Sequence, residues 1–363
     1  LKKIIFTVTN DLTYDQRMQR ICSTLASSGY DVLLVGRRLK HSPPFPPASY
    51  RQRRLGCWFV KGKFFYAEYN IRLFFYLLLK KADCFCAIDL DTILPVYFVS
   101  VLKRAKRVYD AHEFFSQLDE VVSRPAIYRF WHWLERKMIP RFRYGYTVSE
   151  SLAVEFKKYY GASYEVIRNV PVLQETDTQN KLPGIVLYQG AVNKGRGLEY
   201  LAAAMKDVNA LLWVCGDGNF MDEMKAAVAV NRVSDKVKFF GMLAPEALRA
   251  KTEAAFIAVN PFNKRGLNQY LSLSNKFFDY IHAGTPQVTM NYPEYRKINE
   301  QFEVALLIDD LEPGTIAGAL NKLLNDKLLY DRLKQNCLRA RRELCWQKEK
   351  QWLLDFYSKL RNE

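Results

Sequence analysis

The sequence predicts an α/β chain of two doubly wound domains facing a cleft, each a parallel sheet covered by helices. Three observations predict it. The chain has 363 residues, and at roughly 100–200 residues per domain that makes two domains, each able to bury its own core. Apolar runs of strand length alternate with helix-length patterns in two successive series, the signature of parallel sheets with helices on their faces. Between the series lies a polar, apolar-poor segment, residues 174–181 (QETDTQNK), which reads as the linker.

The first series opens with a strand at residues 3–9, followed by a helical pattern over 14–28 that ends at Gly29, a C-cap residue. Residues 31–35 form a second strand, closed by Gly36, completing a β-α-β unit. Residues 41–49 (HSPPFPPAS) hold four prolines and form a loop. A strand at 84–88, a helix at 95–103 and a strand at 107–109 follow. A polar helical stretch at 127–138 precedes the strand 145–148, after which Ser149-Glu150-Ser151 opens a helix as a cap. The second series runs strand 185–189, helix 198–205, strand 210–215, helix 219–229 and strand 237–240. A helix from Pro245, strand 256–259, helix 276–283 and strands 287–290 and 305–308 come next, with helices to the C-terminus. Ligands of such sheets bind outside the carboxyl ends of the strands.

Composition removes several classes. Hydrophobic residues are 49% and charged residues 25%, an ordinary globular balance that excludes disordered and fibrous chains. The longest uncharged apolar stretches, 73–79 and 93–102, are far short of the ~18 residues that span a bilayer. The opening LKKIIFTVTN reads as a strand and not a signal peptide, with the initiator Met expected to be trimmed. Seven cysteines, odd in number and scattered without C-x-x-C, point to reduced, cytosolic usage; Cys84 and Cys86 share a strand face as small apolar residues. His41, His112, His132 and His282 are isolated along the chain, so no metal site is expected. The net charge is +16, and it is sided. Before Pro171 stand 28 basic and 15 acidic residues; after it, 26 and 23. A basic field on one half attracts a polyanion: nucleic acid, an anionic membrane or a phosphorylated lipid.

Two turns in the second half suit phosphate. GAVNKGRG (residues 190–197) matches a P-loop only in its glycine spacing, since Arg196 and Gly197 stand where Lys and Ser/Thr are needed. What it does offer is Gly190, Lys194 and Arg196 in a loop just before a helix, an anion site. In LSLSNKFFD (residues 271–279), Ser274, Asn275 and Lys276 sit at a helix start, where backbone N–H groups and the lysine can hold a diphosphate. Asp279 lies one turn further, where a carboxylate can accept both hydroxyls of a ribose. Gly216-Asp217-Gly218 is a G-x-G without its third glycine. In the first half, Asp110-Ala111-His112-Glu113 follows a strand, placing a histidine and two carboxylates at its carboxyl end.

The order of these motifs resembles the GT-B glycosyltransferases, specifically the retaining, nucleotide-sugar-dependent family 4 (glycosyl transferases group 1) type. The resemblance covers nearly the whole chain. Residues 15–36 resemble the family's first β-α-β unit, with Asp15 and Arg17 on the acceptor side. YDAHEFF (109–115) resembles its histidine loop; TVSESLAVEFKKYYG (147–161) and VIRNVP (166–171) resemble the passage into the hinge. YQGAVNKGRGLEYLAAAM (188–205) resembles the phosphate-binding loop. VCGDGNF with Gly216, and VKFFGML with Met242, resemble the strands beside the nucleobase. SNKFFDYIHAGTPQV (274–288) resembles the donor-binding helix.

The resemblance implies two Rossmann-like domains with the C-terminal helix crossing back to the first. The expected bounds are 1–171 with 346–363 for the acceptor domain and 172–345 for the donor domain. It implies His112 at the donor sugar, Arg196, Asn275 and Lys276 at the diphosphate, Asp279 at the ribose, and Asp110 and Glu113 on the acceptor side. Leu271 occupies the place of the first glutamate of the family's E-x7-E pattern, so its contact to the sugar is lost or supplied by Asn268; Ala191 replaces an arginine often found after the loop's glycine. No cofactor and no metal is expected, the nucleotide-sugar being a substrate. The sequence therefore points to a cytoplasmic enzyme, peripheral on the inner face of the membrane. It would move a sugar, UDP-linked in preference, to a lipid-linked glycan of the capsule, O-antigen or exopolysaccharide kind. Basic aromatic stretches, 69–81 and 130–143, with Trp131, Trp133, Arg136, Lys137, Arg141 and Arg143, would face an anionic membrane, and no nucleic acid is expected. Three alternatives stay open: a nucleotide-sugar epimerase of the same fold, a degenerate nucleotide-sugar-binding subunit, and a basic nucleic-acid-binding protein.

Overall fold

The computed structural model describes residues 2–13, 15–45, 47–175 and 180–362. The chain divides into two compact units: Leu1–Asn169 with Glu349–Glu363, and Val170–Lys348. The segment 174–181 falls within the second unit by this division, and its residues 176–179 lie outside the described residues, as do Tyr14 and Pro46.

The first unit is built on seven parallel strands: β1 (Lys3–Thr7), β2 (Asp31–Arg38), β3 (Arg51–Gly56), β4 (Cys84–Ile88), β5 (Lys106–Ala111), β6 (Tyr144–Thr147) and β7 (Glu165–Val166). Their order is β3-β2-β1-β4-β5-β6-β7, the doubly wound arrangement in which the chain leaves the centre in opposite directions from β1 and β4. All five residues of β4 are buried, as expected for a strand covered on both faces. The helix Gln16–Ser27 starts where the Asp15 carboxylate accepts the Met18 N–H at 3.0 Å, and it ends before Gly29 at φ +88°.

Gly36 does not close β2; the strand runs through it to Arg38. A Cβ there would stand 2.3 Å from Leu12 Cδ2 and 2.7 Å from the Asn10 carbonyl, so the glycine serves a close approach and not a turn. Strand β3 and the helix Gly62–Leu78 escape sequence reading. RQRRLG lacks alternation because β3 is an edge strand, where exposed arginines are tolerated.

The second unit holds six parallel strands: β8 (Leu182–Gln189), β9 (Leu211–Cys215), β10 (Val237–Gly241), β11 (Ala255–Asn260), β12 (Gln287–Met290) and β13 (Ala305–Ile308). Their order, β10-β9-β8-β11-β12-β13, repeats the first unit's winding. The helices Leu267–Leu271 and Pro293–Phe302 are further additions to the sequence reading. The last helix, Trp346–Asn362, begins in the second unit and belongs to the first from Glu349 onward. There the buried Tyr357 meets Phe6, Tyr30 and Tyr146 edge-on. All seven cysteines are free, six of them buried.

Candidate functional site

In the second unit the switch point lies between β8 and β11, and the loop 190–197 leaves the carboxyl end of β8 there. This loop is clasped to the one after β9. Gly190 N–H donates to the Cys215 carbonyl at 2.9 Å, Val192 N–H to Asp217 at 3.0 Å, and Phe220 N–H to Val192 at 2.9 Å. Two side chains lock it reciprocally: Asn219 Oδ1 accepts from Lys194 N–H at 3.2 Å, and Asn193 Oδ1 from Asn219 N–H at 3.1 Å. Gly216 is the tightest point, at φ +151°; a Cβ would fall 1.9 Å from the Gly190 carbonyl oxygen. The G-x-G thus serves loop-to-loop contact.

Against this clasp lies the start of the helix Asn275–His282. Lys276 is nine-tenths buried, and its Nζ has no hydrogen-bond partner among the described residues. The ammonium sits 4.0 Å from the ring centre of Tyr188 and 5.0 Å from that of Phe262, close to where a Cβ on Gly190 would be. Burial, joined by the nearby Arg196 charge, holds its pKa well below the ordinary lysine range. Arg196 stacks on the same Phe262 at 4.8 Å. Two cations therefore share one aromatic ring beside a glycine-rich turn, and the Asp279 charge only partly offsets the burial of the Lys276 ammonium.

Asp279 is half-buried and held in place: Gln189 Nε2 donates to its Oδ2 at 2.8 Å, and Thr252 Oγ1 donates to Gln189 Oε1 at 2.6 Å. Ser274 N–H is engaged by the Tyr295 hydroxyl at 3.1 Å, and its side chain by Asn260 at 3.2 Å, so Ser274 orients the turn through these bonds. Asn275, Lys194 and Met242 are exposed, Met242 at 74%. Leu271 and Asn268 are buried in the short helix Leu267–Leu271. Gln189, Tyr188, Thr252 and Phe262 were missed by the sequence reading. Only the strand order, which sets β11 beside β8, brings Phe262 to this loop.

In the first unit the sequence-predicted residues come together around Arg17, whose side chain is 4% exposed. Its guanidinium donates to Asp110 Oδ1 at 3.0 Å and to the Ile167 carbonyl at 3.0 Å, and its Nε lies 2.9 Å from His112 Nε2. Asp110 is fully buried; despite that burial, Arg17 and His112 hold its carboxyl below the usual range. His112, isolated in sequence, is flanked in space by Asp110 Oδ2 at 3.1 Å and Asp89 Oδ2 at 3.6 Å, with its backbone N–H donating to Asp89 Oδ1 at 2.8 Å. Asp15 caps its helix, and Glu113 follows the histidine. Asp89 and Asp91 were missed by the sequence reading. They follow β4 at this unit's own switch point, and Asp89 adopts φ +54°, a left-handed backbone that is costly for a non-glycine residue. The signal available was Asp-Leu-Asp directly after an apolar strand.

Burial alone would discharge the imidazole, but Asp110 and Asp89 outweigh it and Arg17 together and raise the pKa to about 9. A histidine whose folded pKa is raised adds stability that is complete below pH 6.5 and is lost as pH rises through 9. Stability is therefore expected to fall by about 2–3 kcal/mol between pH 6.5 and 9. Urea unfolding across that range checks it, and a flat profile in the wild type, or a slope unchanged in His112→Gln, would overturn the assignment.

Residues 183–326 match the family Glycosyl transferases group 1. The chain is similar to a solved sucrose-phosphate synthase from Thermosynechococcus elongatus at 16% identity and TM-score 0.87, covering 99% of each chain. It is also similar to Anabaena HepE, solved in complex with UDP-glucose, at 12% identity and TM-score 0.77, covering 99% of this chain and 100% of that one. A probable sucrose-phosphate synthase 2 of Oryza sativa subsp. japonica is 29% identical over 140 residues, which is 35% of this chain and 14% of that relative's length. The match to the glycosyl transferases group 1 family lies within the second unit, and the chain as a whole has the two-domain GT-B fold.

Proposed function

We propose that the protein is a retaining, metal-independent hexosyltransferase that moves a sugar from a nucleotide-sugar, a UDP-sugar in preference, to a glycan acceptor carried on a lipid. The synthesis of a capsule, O-antigen or exopolysaccharide is the setting proposed for it. The observation that carries the reading is the buried ammonium of Lys276, without a hydrogen-bond partner among the described residues, beside Arg196 at the Gly190 turn. Two cations in an aromatic, water-poor site stabilise the charge that grows on a departing nucleoside diphosphate, which is the work a metal does elsewhere. Asp279, fixed by Gln189, accepts the ribose hydroxyls. Gly216 and Met242 border the base, and Lys194, Ser274 and Asn275 line the diphosphate turn. In the first unit His112, poised by Asp110 and Asp89, meets the donor sugar, while Asp15, Arg17, Asp110 and Glu113 form or support the acceptor side. The bond from the anomeric carbon to the diphosphate oxygen breaks, and an acceptor hydroxyl attacks the short-lived oxocarbenium-like sugar from the face the diphosphate leaves. The HepE complex with UDP-glucose supports the choice of uridine.

The enzyme is placed in the cytoplasm, peripheral on the inner face of the membrane; no helix among the described residues is long and apolar enough to cross one. The likeness to two sucrose-phosphate synthases favours a second reading, a small soluble sugar acceptor.

A thermal-shift panel of UDP, GDP, CDP and ADP with their sugars, in the presence of a chelator, tests the donor site. One nucleotide family at about 100 times its Kd should stabilise the protein by about 2.7 kcal/mol. Asp279→Ala should reduce that shift at the same ligand concentration. If no nucleotide shifts the wild type, the donor assignment is wrong.

A further inference from the structure

The helix Gly62–Leu78 is apolar on two sides. One side, Phe65, Tyr69, Leu73 and Leu77, is buried. The other is open: Phe64 is 60% exposed, Ile71 58%, Phe75 60%, and Leu79 at the C-cap 84%. Their spacing of seven, four and four residues sets them on one stripe about four turns long. The segment before the helix adds Trp58, at 86% exposure, with Phe59 and Val60. A helix apolar all round is ordinarily covered, and an open apolar patch of this extent marks an interaction surface.

The patch is held in shape. Glu68, the one acidic residue on the stripe, is turned back: its carboxylate accepts the N–H groups of Trp58 and Phe59 at 2.9 Å and a bond from Arg72 at 2.8 Å. Arg72 in turn lies 4.6 Å over the Trp58 ring. The acidic charge is thus spent on fixing the aromatic segment to the helix, and the indole is presented to solvent.

Cations rim the patch: Lys61 and Lys63 at the helix start, and Lys80 and Lys81 beyond its end. Between the helix and the edge strand β3 runs a groove of about 380 Å³, with Arg53 and Arg72 on its sides and Leu55, Ile71 and Phe75 along it; Arg54, also on the groove, is already paired with Asp11 at 3.0 Å.

We propose that this face of the first unit is a docking surface for an anionic lipid bilayer. Trp58, Phe64, Ile71, Phe75 and Leu79 enter the headgroup boundary, and a lipid phosphate is seated in the groove by Arg53. The proposal rests on the peripheral-membrane reading above and names the face that does the binding. It also redirects it within the stretches singled out in the sequence, since Tyr69, Leu73 and Leu77 are core and Trp131 packs on Tyr66 and Phe115. Charge selects the occupant. A second copy of this chain would bring the same cations against one another on a chain already at +16, whereas anionic lipid meets them with the opposite sign.

Co-sedimentation of the full chain with phosphatidylcholine vesicles, with and without phosphatidylglycerol, tests the proposal. The wild type should bind the anionic vesicles alone, and less in high salt. Trp58→Ser combined with Phe64→Ser and Phe75→Ser should lower that binding by roughly tenfold or more. Arg53→Gln should lower it by about fivefold. Because these positions are exposed, all variants should keep the wild-type melting temperature and nucleotide shift. Wild type that binds no vesicles overturns the membrane reading itself, while the nucleotide panel still stands on its own. Variants that bind vesicles as well as the wild type overturn only this face. A wild-type dimer in light scattering that the triple variant dissociates, with vesicle binding unchanged, assigns the patch to a second copy.

Discussion

Arg17→Met is expected to destabilise the first unit by about 3–5 kcal/mol, the largest single effect foreseen for this chain. The reason is the state in which it leaves Asp110. That carboxylate is 0% exposed, and Arg17 supplies the 3.0 Å ion pair that makes its ionisation tolerable. Methionine fills similar volume and removes the charge, so the cost is that of a buried, partly unpaired carboxylate, plus the bond lost to the Ile167 carbonyl. Two controls separate this from simple loss of packing. The double variant Arg17→Met with Asp110→Leu should recover most of the stability, because an apolar pair leaves no charge behind. The difference between Arg17→Met and wild type should also shrink in acid. Asp110 has a depressed pKa, so its contribution is complete above the ordinary carboxylate pKa near 3.9 and is lost as pH falls through the lower folded value. Urea unfolding of the three proteins at neutral and acid pH measures all of this. A cost below about 1 kcal/mol for Arg17→Met would show that the pair is solvated.

The second large effect runs in opposite directions for stability and function. Lys276→Met should abolish the nucleoside-diphosphate thermal shift while leaving the unliganded protein more stable by about 1 kcal/mol. Burial without a hydrogen bond penalises the ammonium, and its contact with the Tyr188 and Phe262 rings and the Asp279 charge offset that in part. A thioether chain keeps the packing and removes the penalty. Lys276→Arg should not rescue binding fully, since a planar fork does not fit a slot shaped for a single ammonium. Melting curves with and without UDP decide the matter. A Met variant that is less stable and still binds would make Lys276 a packing residue and remove the support for the donor site.

These two residues differ in how legible they were. Lys276 was visible as a cation at a helix start in SNKFFD, and the structure supplies what the letters could not: the two rings around it and the lack of a hydrogen-bond partner among the described residues. Arg17 read, through the family resemblance, as an acceptor-side residue, and nothing in its letters showed that it is buried. Its burial depends on Asp110 and Ile167, 93 and 150 residues away, which β5 and the segment after β7 bring to it. Asp89 and Asp91 were passed over because two aspartates after a strand resemble any polar turn; what distinguishes them is the left-handed backbone at Asp89 and its hold on His112. Strand β3 was missed for the opposite reason, its basic edge sequence carrying no period of two.

By itself the sequence determined the fold class, the alternation of strands and helices, and the positions of the phosphate-friendly turns. Those are local properties, set by apolar periodicity, caps and glycines within a few residues. The tertiary structure alone decided which charges are buried, which loops are clasped and which apolar faces stay open. Each of those depends on partners far away in the chain, through a strand order of 3-2-1-4-5-6, extended by a seventh strand in the first unit, that no local pattern encodes. The clearest case is the helix Gly62–Leu78: its letters are apolar on two sides, and only its packing shows that one side is core and the other faces solvent.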